Sequence, residues 1–431
     1  MTEIKAEPFY YIRHCDFIQL TKHLTINFTK ISLKFCSLHH PAIINLSRKC
    51  PNLTTFEFDL STMKLDYDDE EVTSSTFDAC ARAVAKYCTN LEVLNLSGWD
   101  ITDACMPALS TLTSLKDLTK CSDLSSEPIQ AMLRALPGLA KLSLDEIPAD
   151  EALLRCVGES CHNLTYLRLT VEDCGQVALE TMIRACPLLE DVNLGPDVDH
   201  ADAVLVALST YCRGLKVLDI VGATDVGMRA LLRHCTQLTD LILWAMAPFV
   251  HPELTVSELP CPSLTKLTIN NRDMTDIQFS TLFSHCPNLA KLYLNSCHLM
   301  SNMTLAIIAQ YCTQITSLEL EDSDECRLTI PGIATLLTLR CLTISDMSVD
   351  SATLKALATG RCAHTLTEIT LGNCTDVAID DMLAFVSSCT CLSSFNIYGY
   401  HKCKADKRTL KMHLTAAYPQ LHVWINGYSD Y

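Results

Sequence analysis

Glycine is scarce, 13 residues in 431, and aromatic residues make up only 6% of the chain. The common nucleotide and hydrolase signatures are absent as well: no glycine-rich phosphate loop, no His-Glu-x-x-His, no Gly-x-Ser-x-Gly and no Cys-x-x-Cys pair occurs. A dedicated catalytic motif is therefore not expected, and neither is a cofactor or metal site. Positive charge is in deficit, with 33 Lys and Arg against 50 Asp and Glu, for a net charge of -17. That balance disfavours nucleic acid and anionic membranes, which call for a basic surface, and leaves basic partners open. Long apolar runs are missing, so no membrane span is expected, and Met1-Thr2-Glu3-Ile4-Lys5-Ala6-Glu7 lacks the basic and apolar regions of a secretory leader. A cytoplasmic or nuclear protein is the resulting expectation.

What the chain has in quantity is apolar residues, 48%, arranged with a period. The pattern Leu-x-x-Leu-x-Leu fits Leu53/Phe56/Phe58, Leu91/Leu94/Leu96, Leu139/Leu142/Leu144, Leu164/Leu167/Leu169, Leu189/Val192/Leu194 and Leu215/Leu218/Ile220. It continues through Leu238/Leu241/Leu243, Leu264/Leu267/Ile269, Leu289/Leu292/Leu294 and Ile315/Leu318/Leu320. Weaker copies begin at Phe28, Leu115, Leu339, Leu366, Leu392 and Leu421, giving about sixteen, most of them 23 to 27 residues apart. A period in that range with this consensus is the mark of a leucine-rich repeat. The alternating end of each copy suits a short strand with one buried face. Following it, Leu179/Met182/Ile183/Cys186, Met228/Leu231/Leu232/Cys235, Leu305/Ile308/Ala309/Cys312 and Met382/Phe385/Val386/Cys389 carry the i, i+3, i+4, i+7 stripe of a helix. Thr102-Asp103, Thr224-Asp225 and Thr275-Asp276 supply N-terminal caps. The expected fold is an α/β leucine-rich-repeat solenoid, a horseshoe with parallel β-strands on its concave face and α-helices on its convex face. Residues 1–27 are expected to cap its N-terminal end, and 28–431 to form the solenoid with an irregular C-terminal cap.

Ten of the 24 cysteines, Cys50, Cys88, Cys161, Cys186, Cys212, Cys235, Cys261, Cys286, Cys312 and Cys389, stand three residues before the first leucine of a repeat. A thiol closing an inward helical stripe behaves as a small buried hydrophobe, and once per repeat is too sparse for a disulfide or a tetrahedral metal shell. Cys389-Thr390-Cys391, Cys297-His298 and His39-His40 come nearest to metal spacing and are each isolated. Seven Asn-x-Ser/Thr strings, among them Asn52-Leu53-Thr54, Asn95-Leu96-Ser97 and Asn163-Leu164-Thr165, mostly coincide with the repeat consensus and are not read as glycosylation sites.

The combination Cys-x-x-Leu-x-x-Leu-x-Leu with Thr-Asp-initiated helices resembles the cysteine-containing leucine-rich repeats of F-box proteins and of the F-box-free antagonist of mitotic exit network family. The resemblance implies a substrate-recognition or regulatory subunit of ubiquitin-ligase type, with a Skp-type adaptor or cullin complex as partner. About 27 residues precede the first repeat, too few for an F-box, so none is expected here. The alternative is an architectural subunit of a large intracellular assembly.

Three stretches break the period. Asp66-Tyr67-Asp68-Asp69-Glu70-Glu71 reads as an acidic insertion, and the prolines of Trp244 to Leu254 forbid a regular helix there. Lys120 occupies an apolar position, while Lys402, Lys404, Lys407, Arg408 and Lys411 form a basic cluster read as a solvated cap. Between the buried leucines, outward side chains should form columns: Lys141, Tyr166, Asp191, Val217, Asp240, Lys266 and Lys291 in one, Ser143, Arg168, Asn193, Asp219, Ile242, Thr268 and Tyr293 in the next. A third includes Thr170, Val221, Trp244, Asn270 and Asn295. The expected partner site on the concave face comprises Tyr166, Arg168, Trp244 and Tyr293 as anchors, with Asp191, Asp219, Asp240, Lys266 and Lys291 around them.

Overall fold

The computed structural model describes residues 3–6, 27–34, 40–59, 74–119, 124–171, 174–195, 200–245, 261–321, 332–345, 349–372, 377–398 and 404–425. The acidic insertion 66–71, Lys120, His39, Lys402 and residues 246–254 of the proline-containing segment lie outside them. Two units divide the chain, Met1–Leu215 and Lys216–Tyr431.

In the first unit the strands are β1 (Glu3–Ala6), β2 (Lys30–Lys34), β3 (Thr55–Asp59), β4 (Val93–Asn95), β5 (Asp117–Thr119), β6 (Lys141–Ala149), β7 (Tyr166–Val171) and β8 (Asp191–Asn193). Each pairs in parallel with the next, β1 included, so part of the expected N-terminal cap adds a strand beside β2. The second unit repeats the plan with β9 (Val217–Val221), β10 (Asp240–Trp244), β11 (Lys266–Asn270), β12 (Lys291–Asn295), β13 (Ser317–Glu321), β14 (Cys341–Ser345), β15 (Glu368–Gly372), β16 (Ser394–Tyr398) and β17 (His422–Ile425). Here too every strand is parallel to its successor. A return between parallel strands needs a crossover, and in most repeats the described residues of that crossover form a helix. Each unit is thus an α/β leucine-rich-repeat solenoid.

Alternation decides which residues enter the core. Leu292 and Leu294 of β12, like Leu241 and Leu243 of β10, are fully buried, while the residues between them face outward. The helical stripes close the other side: Leu179, Met182 and Ile183 are buried in the helix Gln176–Ala185, as are Met228, Leu231 and Leu232 in Asp225–His234. The caps form as the sequence implies. Thr224 Oγ1 accepts from the Val226 N–H at 3.1 Å, and Gln278 Oε1 reaches back to the Thr275 N–H at 2.7 Å.

Hydroxyls stitch successive repeats together. Thr54, Thr165, Thr265, Thr316 and Thr367 each donate to a carbonyl of the preceding repeat, at 3.1 to 3.3 Å. This bond explains why threonine recurs after the first leucine, and with it the Asn-Leu-Thr strings.

The ten in-register cysteines are all buried, and the eighteen described cysteines are thiols outside any disulfide. Burial pushes the thiols of Cys88, Cys161, Cys235, Cys312 and Cys389 up to about 12, so they stay protonated and packed. The Cys186 thiol lies 3.6 Å from the Cys161 carbonyl, a weak step in the same ladder. Cys391 is exposed where Cys389 is buried, so the Cys-Thr-Cys string does not present both thiols to one ion. In a maleimide reaction on native protein read by peptide mass spectrometry, Cys391 is expected to label first among the described cysteines. The ten register thiols should label only with unfolding; fast labelling of Cys186 or Cys286 would refute the packing role.

The aspartate of Thr275-Asp276 does more than begin a helix. Its carboxylate accepts from the Ser301 N–H at 3.3 Å, from the Ser301 hydroxyl at 2.6 Å and from the Thr304 hydroxyl, tying one repeat to the next. Partial burial raises this carboxyl, and the bonds from Ser301 and Thr304 outweigh it, leaving it below its ordinary 3.8. A lowered folded value means the stabilisation is complete above the ordinary carboxylate range and is lost as pH falls through the folded value. Asp276→Asn is therefore expected to lower the melting temperature at pH 7 and to lower it by a smaller margin at pH 3. An equal deficit at both pH values would contradict this role.

Candidate functional site

The outward positions of the strands form ladders within each unit. In the second, the register sets Val217, Asp240, Lys266, Lys291 and Ser317 side by side on β9 to β13, then Asp219, Ile242, Thr268, Tyr293 and Glu319, then Val221, Trp244, Asn270, Asn295 and Glu321. In the first, Lys141, Tyr166 and Asp191 are neighbours on β6 to β8, as are Ser143, Arg168 and Asn193. All nine residues expected at the partner site therefore occupy outward strand positions, three in the first unit and six in the second.

Their mutual contacts refine that expectation. Trp244 is 38% exposed, and its indole Nε1 donates to Asp219 Oδ1 at 2.8 Å. Ala245 follows at φ 43, in the left-handed region, as the backbone turns out of β10. Asp219 thus orients the tryptophan. Asp240 is engaged as well: the Thr239 hydroxyl donates to its Oδ2 at 2.8 Å, and Lys266 Nζ lies 3.6 Å from its Oδ1. The same ammonium sits 6.0 Å from the centroid of the Tyr293 ring, a cation–π arrangement spanning β10 to β12. In the first unit Arg168 stacks over Tyr166, 5.4 Å from guanidinium carbon to ring centroid, and its buried Nε has no acceptor among the described residues. These pairs hold the aromatic rings in fixed attitudes at little further entropic cost on binding, which is what an anchor residue requires.

Three features of this face escape a reading of the repeat consensus. On β13, Ser317-Leu318-Glu319-Leu320-Glu321 places carboxylates at two successive outward positions. The alternation was visible in the sequence, but the expected site stopped at the preceding repeat. On β16, the Tyr398 ring lies against Gly372 of β15, where a Cβ would come within 2.8 Å of the ring, and its hydroxyl donates to Ser345 on β14. Gly372 is thus glycine because a neighbouring ring crosses it. Finally, Cys341 is a partly exposed thiol at an outward position between Ser317 and Glu368.

Elsewhere the described surface offers less. Among the described residues no group of three or more His, Cys, Asp or Glu side chains is placed to hold a metal, and no helix is long and apolar enough to cross a membrane. Cys297 is buried with its thiol 3.4 Å from the Asn295 carbonyl, while adjacent His298 is exposed. Arg408 and Lys411 of the basic cluster are exposed on the helix Lys404–Ala417.

No protein-family model matches the sequence. Among curated proteins, GRR1-like protein 1 of Arabidopsis thaliana is 24% identical over 259 residues, 56% of this chain and 43% of that protein, so the chain spans less than half of that relative's length. Among solved structures, the Rad7 and Elc1 complex of yeast aligns over 83% of this chain and 84% of that chain, at 18% identity and a TM-score of 0.49. An internalin (inlF) of Listeria monocytogenes aligns over 82% of this chain and 89% of that chain, at 19% identity and a TM-score of 0.43.

Proposed function

We infer that this cysteine-rich leucine-rich-repeat protein, which resembles the repeat domains of F-box/leucine-rich-repeat proteins, works by holding a protein ligand against the outward face of its strands. The observation that carries the reading is the set of pre-oriented aromatic and cationic side chains on the outward strand positions of each unit: in the second, Trp244 fixed by Asp219 and Tyr293 under Lys266, and in the first, Arg168 over Tyr166. Aromatic and arginine side chains held in one attitude are the residues that dominate protein interfaces. The reading is of a binding protein and assigns no reaction.

The combined variant Arg168→Ala, Trp244→Ala, Tyr293→Ala tests it. With its melting temperature preserved, it is expected to bind its captured protein partner at least about tenfold more weakly than wild type. A folded variant that kept its full set of partners would refute the site.

The finer role we assign is substrate recognition or regulation in an F-box-type ubiquitin-ligase system, with a Skp-type adaptor or cullin as a second partner. The likeness to GRR1-like protein 1 and the Cys-x-x-Leu-x-x-Leu-x-Leu repeats support it. We assign the protein to the cytoplasm or nucleus, a placement supported by the eighteen described cysteines, which are thiols outside any disulfide. The alternative, an architectural subunit, draws on exposed apolar residues at the helix N-termini, Val177 in the first unit and Ile277 and Met303 in the second. Affinity purification separates the two: an adaptor or cullin in the eluate fits the first, and stable stoichiometric structural partners fit the second.

A further inference from the structure

We propose that the outward face of β12 to β14 is a receptor for an arginine side chain on a basic segment of the protein ligand, gripped by Glu319 and Glu321. The inference rests on the strand face being the ligand face. It extends that face to acids outside the nine residues discussed above.

The geometry starts with alternation. Leu318 and Leu320 point into the core, so Glu319 and Glu321 both point out from one strand, about 6.6 Å apart along it. Tyr293 stands opposite Glu319 and Asn295 opposite Glu321 on β12, with Thr343 and Ser345 across from them on β14. Elsewhere on this unit's face Asp219 and Asp240 have donors within reach, from Trp244, Thr239 and Lys266. Glu319 and Glu321 differ: among the described residues neither carboxylate has an ion-pair partner or a hydrogen-bond donor. The nearest strand cation in the register, Lys291, stands opposite Ser317, one outward position away from Glu319.

A second observation points the same way. Asn295 Oδ1 is a buried acceptor with no donor among the described residues, on the residue paired with Glu321. Burial, and secondarily the charge of Glu321, raises the Glu319 carboxyl above its ordinary range, as expected of a partly desolvated carboxylate lacking a cation. Three acceptor groups thus adjoin one another with their donors missing. An arginine side chain is all donor: its planar fork of five N–H groups carries no acceptor, and it can engage two carboxylates at once. An ammonium is a compact point charge and spans such a site less well. Beside Glu319 the Tyr293 ring offers a surface on which a guanidinium stacks, and the net charge of -17 favours approach of a basic segment.

The test uses the full chain and fluorescence anisotropy at physiological ionic strength. The probe is a short fluorescein-labelled glycine-serine peptide carrying two arginines, compared with the same peptide carrying citrulline in their place. Wild type is expected to bind the arginine peptide and not the citrulline peptide. Glu319→Gln with Glu321→Gln should weaken binding about tenfold or more, and Glu321→Gln alone by a smaller factor. Glu127→Gln with Glu159→Gln removes the same charge from exposed helical positions of the first unit and should change nothing. Failure of wild type to bind, or equal weakening by the helical pair, overturns the arginine receptor. Binding that survives Glu319→Gln with Glu321→Gln but falls with Trp244→Ala overturns it while leaving the strand-face reading intact. Binding that survives every one of these changes overturns both.

Discussion

Trp99→Ala is expected to destabilise the first unit by about 3–5 kcal/mol, the cost typical of deleting a fully buried aromatic side chain. Trp99 is 1% exposed and stands edge-on to Phe56 and Phe58, with centroids 6.2 and 6.1 Å away, and its indole Nε1 donates to the Phe58 carbonyl at 3.1 Å. The phenylalanines occupy leucine positions of their repeat and need a larger partner than a leucine opposite them. Alanine removes the ring and also strands a buried carbonyl, so cavity and lost hydrogen bond act together. Urea unfolding followed by circular dichroism should show one transition moved to lower urea, with Trp99→Phe intermediate because it keeps one ring of the packing and loses the donor. Repeats are stabilised by their neighbours, so the effect should fall on one transition and not uniformly on the chain. A shift under 1 kcal/mol for alanine would show that this cluster is not a core.

Gly360→Ala comes next in size. Gly360 ends the helix Ser351–Thr359, and a Cβ built there would lie 2.5 Å from the Ala334 Cβ and 2.7 Å from its carbonyl oxygen. Backbone φ at this position is -77, which any residue adopts, so the obstacle is space and not conformation. Two backbones are in near contact, and neither can yield as a long side chain could. Overpacking of this kind costs about 1–3 kcal/mol, and a β-branched residue should cost more. Ala334→Gly in the Gly360→Ala background should restore part of the loss, because it removes the nearest carbon while the Ala334 carbonyl remains. No rescue at all would mean the destabilisation arises elsewhere.

How much of this could be read beforehand differs by level. Strand register was legible because its cause is local: a leucine at every second position has one way to be buried, and Leu241, Leu243, Leu292 and Leu294 are buried accordingly. The cysteines were legible for the same reason, as the last member of a helical stripe. Contacts made between repeats were not. Thr275-Asp276 reads as a cap, yet the aspartate serves Ser301 and Thr304 of the following repeat, and nothing in the spacing shows which repeat receives a bond. Trp99 and Tyr398 fall outside the consensus positions, so their targets, the Phe58 carbonyl and Ser345, appear only once the strands are stacked. The expected site residues landed on outward strand positions because alternation alone determines that. That Asp219 would fix Trp244, or that Lys266 would lie between Asp240 and Tyr293, depends on diagonal reach across strands, which the sequence does not encode position by position.

The central claim is that a protein ligand lies on the outward strand face. Site-specific photo-crosslinking tests it most directly, with p-benzoylphenylalanine placed at Tyr293 or Ile242 on the strands and at Ile277 or Glu127 on the helices, in native extract. The account predicts a discrete protein adduct from the strand positions, lost in the Arg168→Ala, Trp244→Ala background at Tyr293, and none from the helical positions. Adducts formed only from Ile277 or Glu127 would contradict it.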